Sequence, residues 1–330
     1  MRFTMLNKYP MKLRPVTKQA IWGGSKLIEN YHKTAPFDKI AESWELTVRS
    51  DGVNIIDNGV FAGMRLDQYI EQDPCNILGC DADGERFPLL VKFLDAFDDL
   101  SVQVHPDDAY ALAHADDLGK MEMWYIMEAE PGAQLVYGLK DDCTLDDFAH
   151  AVTSGETESV LRYVPVKAGE CYFIPHGLVH AIGAGILIAE IQQNSNVTYR
   201  VYDYNRRQAD GTLRQLHVAQ AMDVVRSYTD AEISAQRYSR EMPVNDDVLC
   251  DCQYFKVTKY TSAGDGSVHF SVDERSFASL LVLSGENGQI LCGDFSCDVQ
   301  KGESYFLPAG LGDVTVAGEL TLLVTTINSI

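Results

Sequence analysis

One stretch of the sequence occurs twice and decides the fold. Residues 169–185 read GECYFIPHGLVHAIGAG, and residues 302–318 read GESYFLPAGLGDVTVAG. Both copies share three glycines, the Tyr-Phe pair and the Pro-x-Gly-Leu turn, so the same strand, turn and strand are built once in each half of the chain. His176 and His180 occur only in the first copy, which indicates that the two halves share a fold and differ in chemistry.

The rest of the chain consists mostly of short strand-like segments between Gly, Pro, Asn and Asp, a pattern typical of sandwiches and barrels. Apolar residues at helical spacing occur only at residues 107–117, 145–161 and 215–228. The sequence therefore predicts a mainly β fold with two barrels of one kind and a small helical portion attached to the first.

The length of 330 residues is sufficient for two domains, each with its own core. After Tyr228 the residues 229–247 are polar and lack periodicity, which is typical of a linker. We expect a catalytic, metal-binding barrel with helical insertions at residues 1–235 and a metal-free barrel at residues 246–330.

Composition excludes several classes of function. The formal net charge of −21 repels nucleic acid and anionic membranes, so neither is expected as a partner, whereas a pocket of converging cations can still bind a small anion. The N-terminal residues 1–24 lack the apolar core of a secretory signal. The eight cysteines are scattered, and we expect them to be reduced thiols in a cytoplasmic protein. No oligomeric state is assigned.

The first copy of the repeat also has the spacing of a metal motif. Gly169, Pro175, Gly177 and His180 resemble the second motif of the cupin superfamily, which consists of small jelly-roll barrels, and the histidine at this place binds a metal in that family. The last position of the family pattern is Asn, whereas this chain has Ala184. The resemblance implies that both barrels are of the cupin type.

Further ligands must come from an earlier hairpin. Gln103 and His105 lie two residues apart and therefore project to the same face of a strand. Glu122 follows one turn and one strand later. Together with His180 these side chains suit Zn²⁺. The spacing alone leaves a second interpretation open, because histidines in strands are commonly hydrogen-bonded core residues.

Longer segments carry a more specific resemblance. Residues 88–108, 120–133 and 174–206, with the N-terminal IWGG and ESWE, resemble the type I mannose-6-phosphate isomerases in their short bacterial form. This resemblance covers residues 13–206 and implies a zinc-dependent aldose–ketose isomerase that interconverts mannose 6-phosphate and fructose 6-phosphate through an enediolate. The small-molecule partner it implies is a sugar phosphate.

The same resemblance implies roles for individual residues. The implied zinc ligands are His105, Glu122 and His180, with Gln103 as a fourth; the implied catalytic residues are Arg200 and Lys120; the residues expected near the substrate phosphate are Ser101 and Lys92. Because the second copy lacks the histidines, we expect one Zn²⁺ per chain, although Co²⁺ or Mn²⁺ also suits a site of nitrogen and oxygen ligands. Asn196 stands where many relatives have Asp.

Two questions stay open at this stage. The base could be Lys120, if burial and a neighbouring cation favour its neutral form, or a hydroxide held by the zinc. The alternative functions are another cupin metalloenzyme for sugar phosphates, of the phosphoglucose isomerase type, and a non-catalytic sugar-phosphate sensor.

Overall fold

Strands dominate the fold. The computed structural model describes residues 7–82, 86–208, 210–239, 247–264 and 266–329. Residues 1–6 of the N-terminal stretch and residues 240–246 of the predicted linker, including the predicted domain boundary at 246, lie outside the described residues.

The strands of the first half are β1 (Met11–Arg14), β2 (Val16–Lys18), β3 (Glu42–Leu46), β4 (Val48–Arg49), β5 (Gly52–Val53), β6 (Ile55–Ile56), β7 (Leu89–Ala96), β8 (Val102–Val104), β9 (Glu122–Ala129), β10 (Gln134–Leu139), β11 (Leu161–Pro165), β12 (Cys171–Ile174), β13 (His180–Ile182), β14 (Ile186–Gln193) and β15 (Tyr199–Tyr202). Those of the second half are β16 (Val248–Asp251), β17 (Phe255–Ser262), β18 (Ser267–Val272), β19 (Ala278–Ser284), β20 (Gly288–Cys292), β21 (Phe295–Val299), β22 (Ser304–Leu307), β23 (Gly312–Ala317) and β24 (Leu320–Ile327).

The helices are α1 (Lys26–Glu29), α2 (Leu66–Ile70), α3 (Pro74–Leu78), α4 (Asp108–Ala115), α5 (Leu145–Ser154), α6 (Val218–Val224) and α7 (Asp230–Arg237), with short 3-10 helices at Gly59–Phe61 and Thr157–Val160. No helix in the described part of the chain has both the length and the apolar character needed to cross a membrane.

Two antiparallel sheets form the first half. One has the strand order β12-β9-β14-β7-β3-β2 and the other the order β11-β10-β13-β8-β15. Every residue of the eight-residue strands β7 and β14 is buried, which explains why these strands read as continuous apolar runs. A charged residue in either strand therefore stands out from its surroundings.

The second half contains a seven-stranded sheet, β16-β17-β24-β19-β22-β1-β6, and a four-stranded sheet, β18-β23-β20-β21. Strand β1 comes from the N-terminus and pairs with β22 of the second repeat copy, Met11 opposite Phe306. The chain then continues through Pro15 into β2, which pairs with β3 in the first half. The two halves are thus joined by shared strands.

Both halves also share a hydrophobic core. One cluster of buried residues includes Phe93 and Trp124 from the first half and Phe277 and Phe306 from the second. The rings of Phe277 and Phe306 stack with centroids 5.2 Å apart. A continuous core of this kind predicts that the halves unfold together.

The prediction of a mainly β fold is confirmed, but the prediction of two barrels is not. Each sheet in the described chain has a linear strand order with two edge strands, so the sheets pack as layers and are not closed barrels.

The helix predictions located three of the α-helices in the described chain and missed α1, α2, α3 and α7. Helices α4, α5 and α6 lie within the predicted segments, although α5 ends at Ser154. The segment predicted as a linker begins with α7, which sequence periodicity did not reveal. A capping box between Thr229 and Glu232 starts this helix, and Ile233 buries its apolar side.

The repeated glycines allow a matched test of close packing. Gly169 and Gly302 both have positive φ, +90° and +89°, which costs an alanine about 1 kcal/mol. A Cβ on Gly302 would lie 2.4 Å from the carbonyl oxygen of Tyr31, whereas at Gly169 the nearest atom, the Tyr125 hydroxyl, would be 4.0 Å away. We expect Gly302→Ala to lower the free energy of unfolding by about 3 kcal/mol and Gly169→Ala by about 1 kcal/mol, measured by urea denaturation. Equal losses would contradict this packing.

Candidate metal centre and adjoining cavity

Three predicted site residues lie side by side on the five-stranded sheet. Gln103 on β8 is directly opposite His180 on β13 and also opposite Arg200 on β15. Residues that face each other across antiparallel strands project to the same side. The register therefore gathers Gln103, His180 and Arg200 on the inner face of this sheet, and His105 follows immediately after β8.

Glu122 comes from β9 in the facing six-stranded sheet and completes a buried cluster. His105, Glu122 and His180 have ligand atoms that all lie within 4.8 Å of one another. The Nε2 atom of His105 lies 3.1 Å from Glu122 Oε1 and 3.2 Å from His180 Nε2. The three predicted ligands thus meet between the two sheets.

Hydrogen bonds fix the tautomer of both histidines. The Nδ1–H of His105 donates to the Val197 carbonyl at 2.8 Å, and the Nδ1–H of His180 donates to the Leu178 carbonyl at 2.8 Å. Each neutral ring then directs the lone pair of Nε2 towards the cluster. Two facing lone pairs cannot hydrogen-bond to each other, so the arrangement fits a bound cation.

The protonation states agree with a metal site. Burial, together with the charge of Lys120, lowers the pKa of His105 to about 3, and burial also lowers the pKa of His180. Burial would raise the pKa of Glu122, but Lys120, His105 and His180 together outweigh burial and hold this pKa well below its usual value. At neutral pH the cluster therefore offers two neutral imidazoles and one carboxylate, a set that suits Zn²⁺.

Lys120 is in direct contact with this cluster. Its Nζ makes an ion pair with Glu122 Oε1 and lies 3.3 Å from His105 Nε2. The residue is buried but also lines a cavity next to the cluster. Lys120 thus connects the candidate metal centre with the space in which a ligand can bind.

That cavity has a volume of about 350 Å³, within the range of small-molecule sites. Its cationic lining residues are Lys18, Lys92, Lys120, Arg200 and Arg214. Its acidic lining residues are Glu42, Asp51 and Glu190. Five cations against three carboxylates give a positive lining in a chain whose net charge is −21, and this lining favours an anionic ligand.

Arg200 and Ser101 lie together at the wall of the cavity. The Nε–H of Arg200 donates to Ser101 Oγ at 3.0 Å, and Nη1 donates to the Gln215 carbonyl at 2.9 Å. These bonds hold the guanidinium plane in a fixed orientation. A fixed fork of donors is suited to an anionic oxygen pair of a ligand.

Lys92 has different surroundings. Its Nζ lies 3.2 Å from Glu190 Oε2 and 3.4 Å from Glu42 Oε2. Burial opposes the charge on Lys92, but the two carboxylates raise its pKa above the usual value. The lysine is therefore charged, and its charge is largely compensated by these carboxylates.

Sequence reasoning missed Glu190 and Glu42. Trp124 Nε1–H donates both to Glu122 Oε2 at 3.0 Å and to Glu190 Oε1 at 3.1 Å, so Glu190 is linked to the metal cluster through one ring. The signal for Glu190 was present, because it is the only charged residue in the apolar run ILIAEIQQ, directly opposite Lys92 of β7.

Three further positions, Asn196, His176 and Asp313, have different surroundings. Asn196 lines the cavity and donates from Nδ2 to Asp51 Oδ2 at 3.0 Å. His176 is buried and lies 2.8 Å from Gln193. Asp313, the counterpart of His180 in the second copy, is exposed on β23.

Comparisons with known proteins agree with this architecture. The profile of the type I phosphomannose isomerase catalytic domain matches residues 11–130, and that of the mannose-6-phosphate isomerase cupin domain matches residues 246–327. The mannose-6-phosphate isomerase ManA of Bacillus subtilis is 36% identical over 317 residues, which cover 96% of this chain and 98% of the relative. The mannose-6-phosphate isomerase of Streptococcus mutans is 34% identical and covers 97% of this chain and 98% of its own.

Solved structures show the same fold. The crystal structure of the mannose 6-phosphate isomerase from Bacillus subtilis has a TM-score of 0.84 at 32% identity and covers 97% of this chain and 99% of that one. The apo form of the enzyme from Salmonella typhimurium, with 17% identity, has a TM-score of 0.73 and covers 97% of this chain and 99% of that one; it supports the fold alone.

The fold and the site define a protein with a cupin domain and a candidate metal centre of two histidines and one glutamate. The chain belongs to the type I mannose-6-phosphate isomerase family, a family of aldose–ketose isomerases.

The metal centre can be tested by metal analysis. We expect purified protein to contain close to one zinc per chain, and His180→Ala to lose it because one of three ligands is removed. His150→Ala, which changes an exposed histidine of α5, and Asp313→Ala should keep the full metal content. Two zinc ions per chain, or loss of zinc in Asp313→Ala, would contradict the assignment.

Proposed function

We propose that this protein catalyses the interconversion of mannose 6-phosphate and fructose 6-phosphate with a divalent metal, Zn²⁺ by its ligand set. The main support for this proposal is a cavity with a predominantly cationic lining, which adjoins the His105–Glu122–His180 cluster through Lys120. The relatives named above as mannose-6-phosphate isomerases, aligned over nearly the whole chain, support the same reaction.

His105, Glu122 and His180 would hold the metal, with Gln103 as a fourth ligand from the same sheet face as His180. A bound metal would act as a Lewis acid on a sugar oxygen and lower the energy of the negative charge that develops there. Trp124 orients the Glu122 carboxylate through its indole N–H.

Lys120 is proposed as the group that moves the proton. In the forward reaction Lys120, as the neutral amine, removes the proton from C2 of the aldose. The hydroxyl proton then passes from O2 to O1 of the enediolate, and the ammonium returns the carbon-bound proton to C1, so that the carbonyl moves from C1 to C2. The position of Lys120, in contact with the metal cluster and at the cavity wall, supports this role, because a general base must come within reach of both carbons.

Arg200 and Ser101 are proposed to bind anionic oxygens of the substrate. The guanidinium is held by Ser101 and the Gln215 carbonyl, so it can donate without first losing side-chain freedom. Lys92 stays a proposed substrate contact. We assign Lys92 to the phosphate end of the substrate. Because Glu42 and Glu190 compensate the charge of Lys92, we also assign these three side chains to hydrogen bonds with sugar hydroxyls.

An assay of the intact protein tests this function. We expect turnover of mannose 6-phosphate, loss of turnover after chelation, and recovery on addition of Zn²⁺, each followed by a coupled assay for fructose 6-phosphate. Glucose 6-phosphate in the same assay distinguishes the phosphoglucose isomerase type of enzyme. Binding of either sugar phosphate without turnover in the metal-loaded protein would establish the sensor instead.

Arg200→Lys tests the guanidinium fork. We expect kcat/KM to fall by about a hundredfold because a point charge cannot reproduce two fixed donors, while the metal content and unfolding midpoint stay unchanged. Arg207→Lys is the control, since Arg207 is exposed and its Nη1 donates to the Gly211 carbonyl. A kcat/KM close to wild type in Arg200→Lys would show that the Arg200 guanidinium has no role in the active site.

A further inference from the structure

A hydrogen-bonded network behind the cavity includes residues with no role in the proposed reaction. Gln193, at the end of β14, accepts at Oε1 from the backbone N–H of Met121 at 2.9 Å and from His176 Nε2–H at 2.8 Å. Both His176 and Gln193 are buried. His176, which has no histidine counterpart in the second repeat copy, thus donates a hydrogen bond to the Gln193 side-chain amide.

The network continues to the start of α4. The Nε2–H of Gln193 donates to Asp108 Oδ1 at 3.0 Å, and the backbone N–H of Gly119 donates to the same oxygen at 2.8 Å. The segment from Gly119 to Met121 is therefore held at both ends by side chains, Asp108 at one and Gln193 at the other. Lys120 is the residue between them.

Close packing restricts this segment further. A Cβ on Gly119 would lie 2.6 Å from backbone atoms of Asp107 and Asp108, and the N–H of Lys120 donates to the Pro106 carbonyl at 3.1 Å. The backbone of Lys120 consequently follows any displacement of the first turn of α4.

Tyr254 connects the network to the second half of the chain. Its hydroxyl donates to Asp108 Oδ2 at 2.6 Å, and its ring packs edge-on against His176 with centroids 5.8 Å apart. The described residues that line the cavity all lie between Lys18 and Arg214, so Tyr254 is outside the lining, and this network links it to the site.

We propose that Tyr254, with Asp108, Gln193 and His176, positions Lys120 for proton transfer, so that the C-terminal half contributes to turnover through one tyrosine hydroxyl. This inference rests on the proposed function, in which Lys120 moves the proton. These four are positioning residues, because none of them contacts the reacting atoms. A small displacement of a base relative to the carbon it must reach lowers the rate strongly.

Tyr254→Phe tests the inference because it removes the hydroxyl and keeps the ring. We expect kcat to fall about tenfold with KM and bound zinc unchanged, since substrate and metal contacts stay in place. Amide hydrogen exchange at Gly119 should become faster, because its hydrogen-bond acceptor Asp108 no longer receives the hydrogen bond from the Tyr254 hydroxyl. Tyr260→Phe is the control in the same half, where the ring stacks on Phe270, and should match wild type in both measurements.

Asp108→Asn provides a second variant if Tyr254→Phe is poorly folded, and it should show the same loss of kcat at constant KM. A wild-type value of kcat in a folded Tyr254→Phe protein, or loss of zinc in parallel with activity, would overturn the inference. Absence of isomerase turnover in the wild-type protein would instead refute the proposed function, and the exchange rate at Gly119 would still test the positioning of Lys120.

Discussion

A carboxylate buried between two β-sheets needs positive charge or hydrogen-bond donors around it, and the first half of this protein is arranged around that requirement at Glu122. The side chain has no exposed surface and is surrounded by Lys120, His105, His180 and the indole N–H of Trp124. Without these groups the cost of burying the charge would be several kcal/mol. The same groups are those that metal binding and proton transfer require.

Charge compensation also explains how a strongly acidic chain offers a site to an anion. The surface charge of −21 is spread over solvated residues and screened, whereas the cavity concentrates five cations against three carboxylates. Glu42 and Glu190 keep Lys92 charged inside the sheet. The same two carboxylates reduce the positive potential that Lys92 adds to the cavity. Within the described part of the chain, the side chain of Arg200 donates to Ser101 Oγ and the Gln215 carbonyl and to no carboxylate, so its charge is more available to a ligand.

The two halves depend on each other at more than one place. The N-terminal strand β1 completes the sheet of the second half, and the buried ion pair of Lys33 with Glu45, at 2.7 Å, lies against the second repeat copy, where Lys33 donates to the Gly302 carbonyl. Tyr254 forms a third link, to Asp108. The second copy has lost the histidines but retains the turn and strands that make these contacts.

The sequence by itself determined the strand content, the repeat and the four metal-ligand candidates, because strand periodicity, turn residues and the short motifs that contain His105 and His180 are local properties. It did not determine that the sheets stay open, that β1 joins the second half, or that α7 interrupts the predicted linker. It also left His176 unexplained and missed Glu190. Those features depend on which residues meet across sheets and between the two halves, and such contacts between distant parts of the chain are fixed only by the tertiary packing.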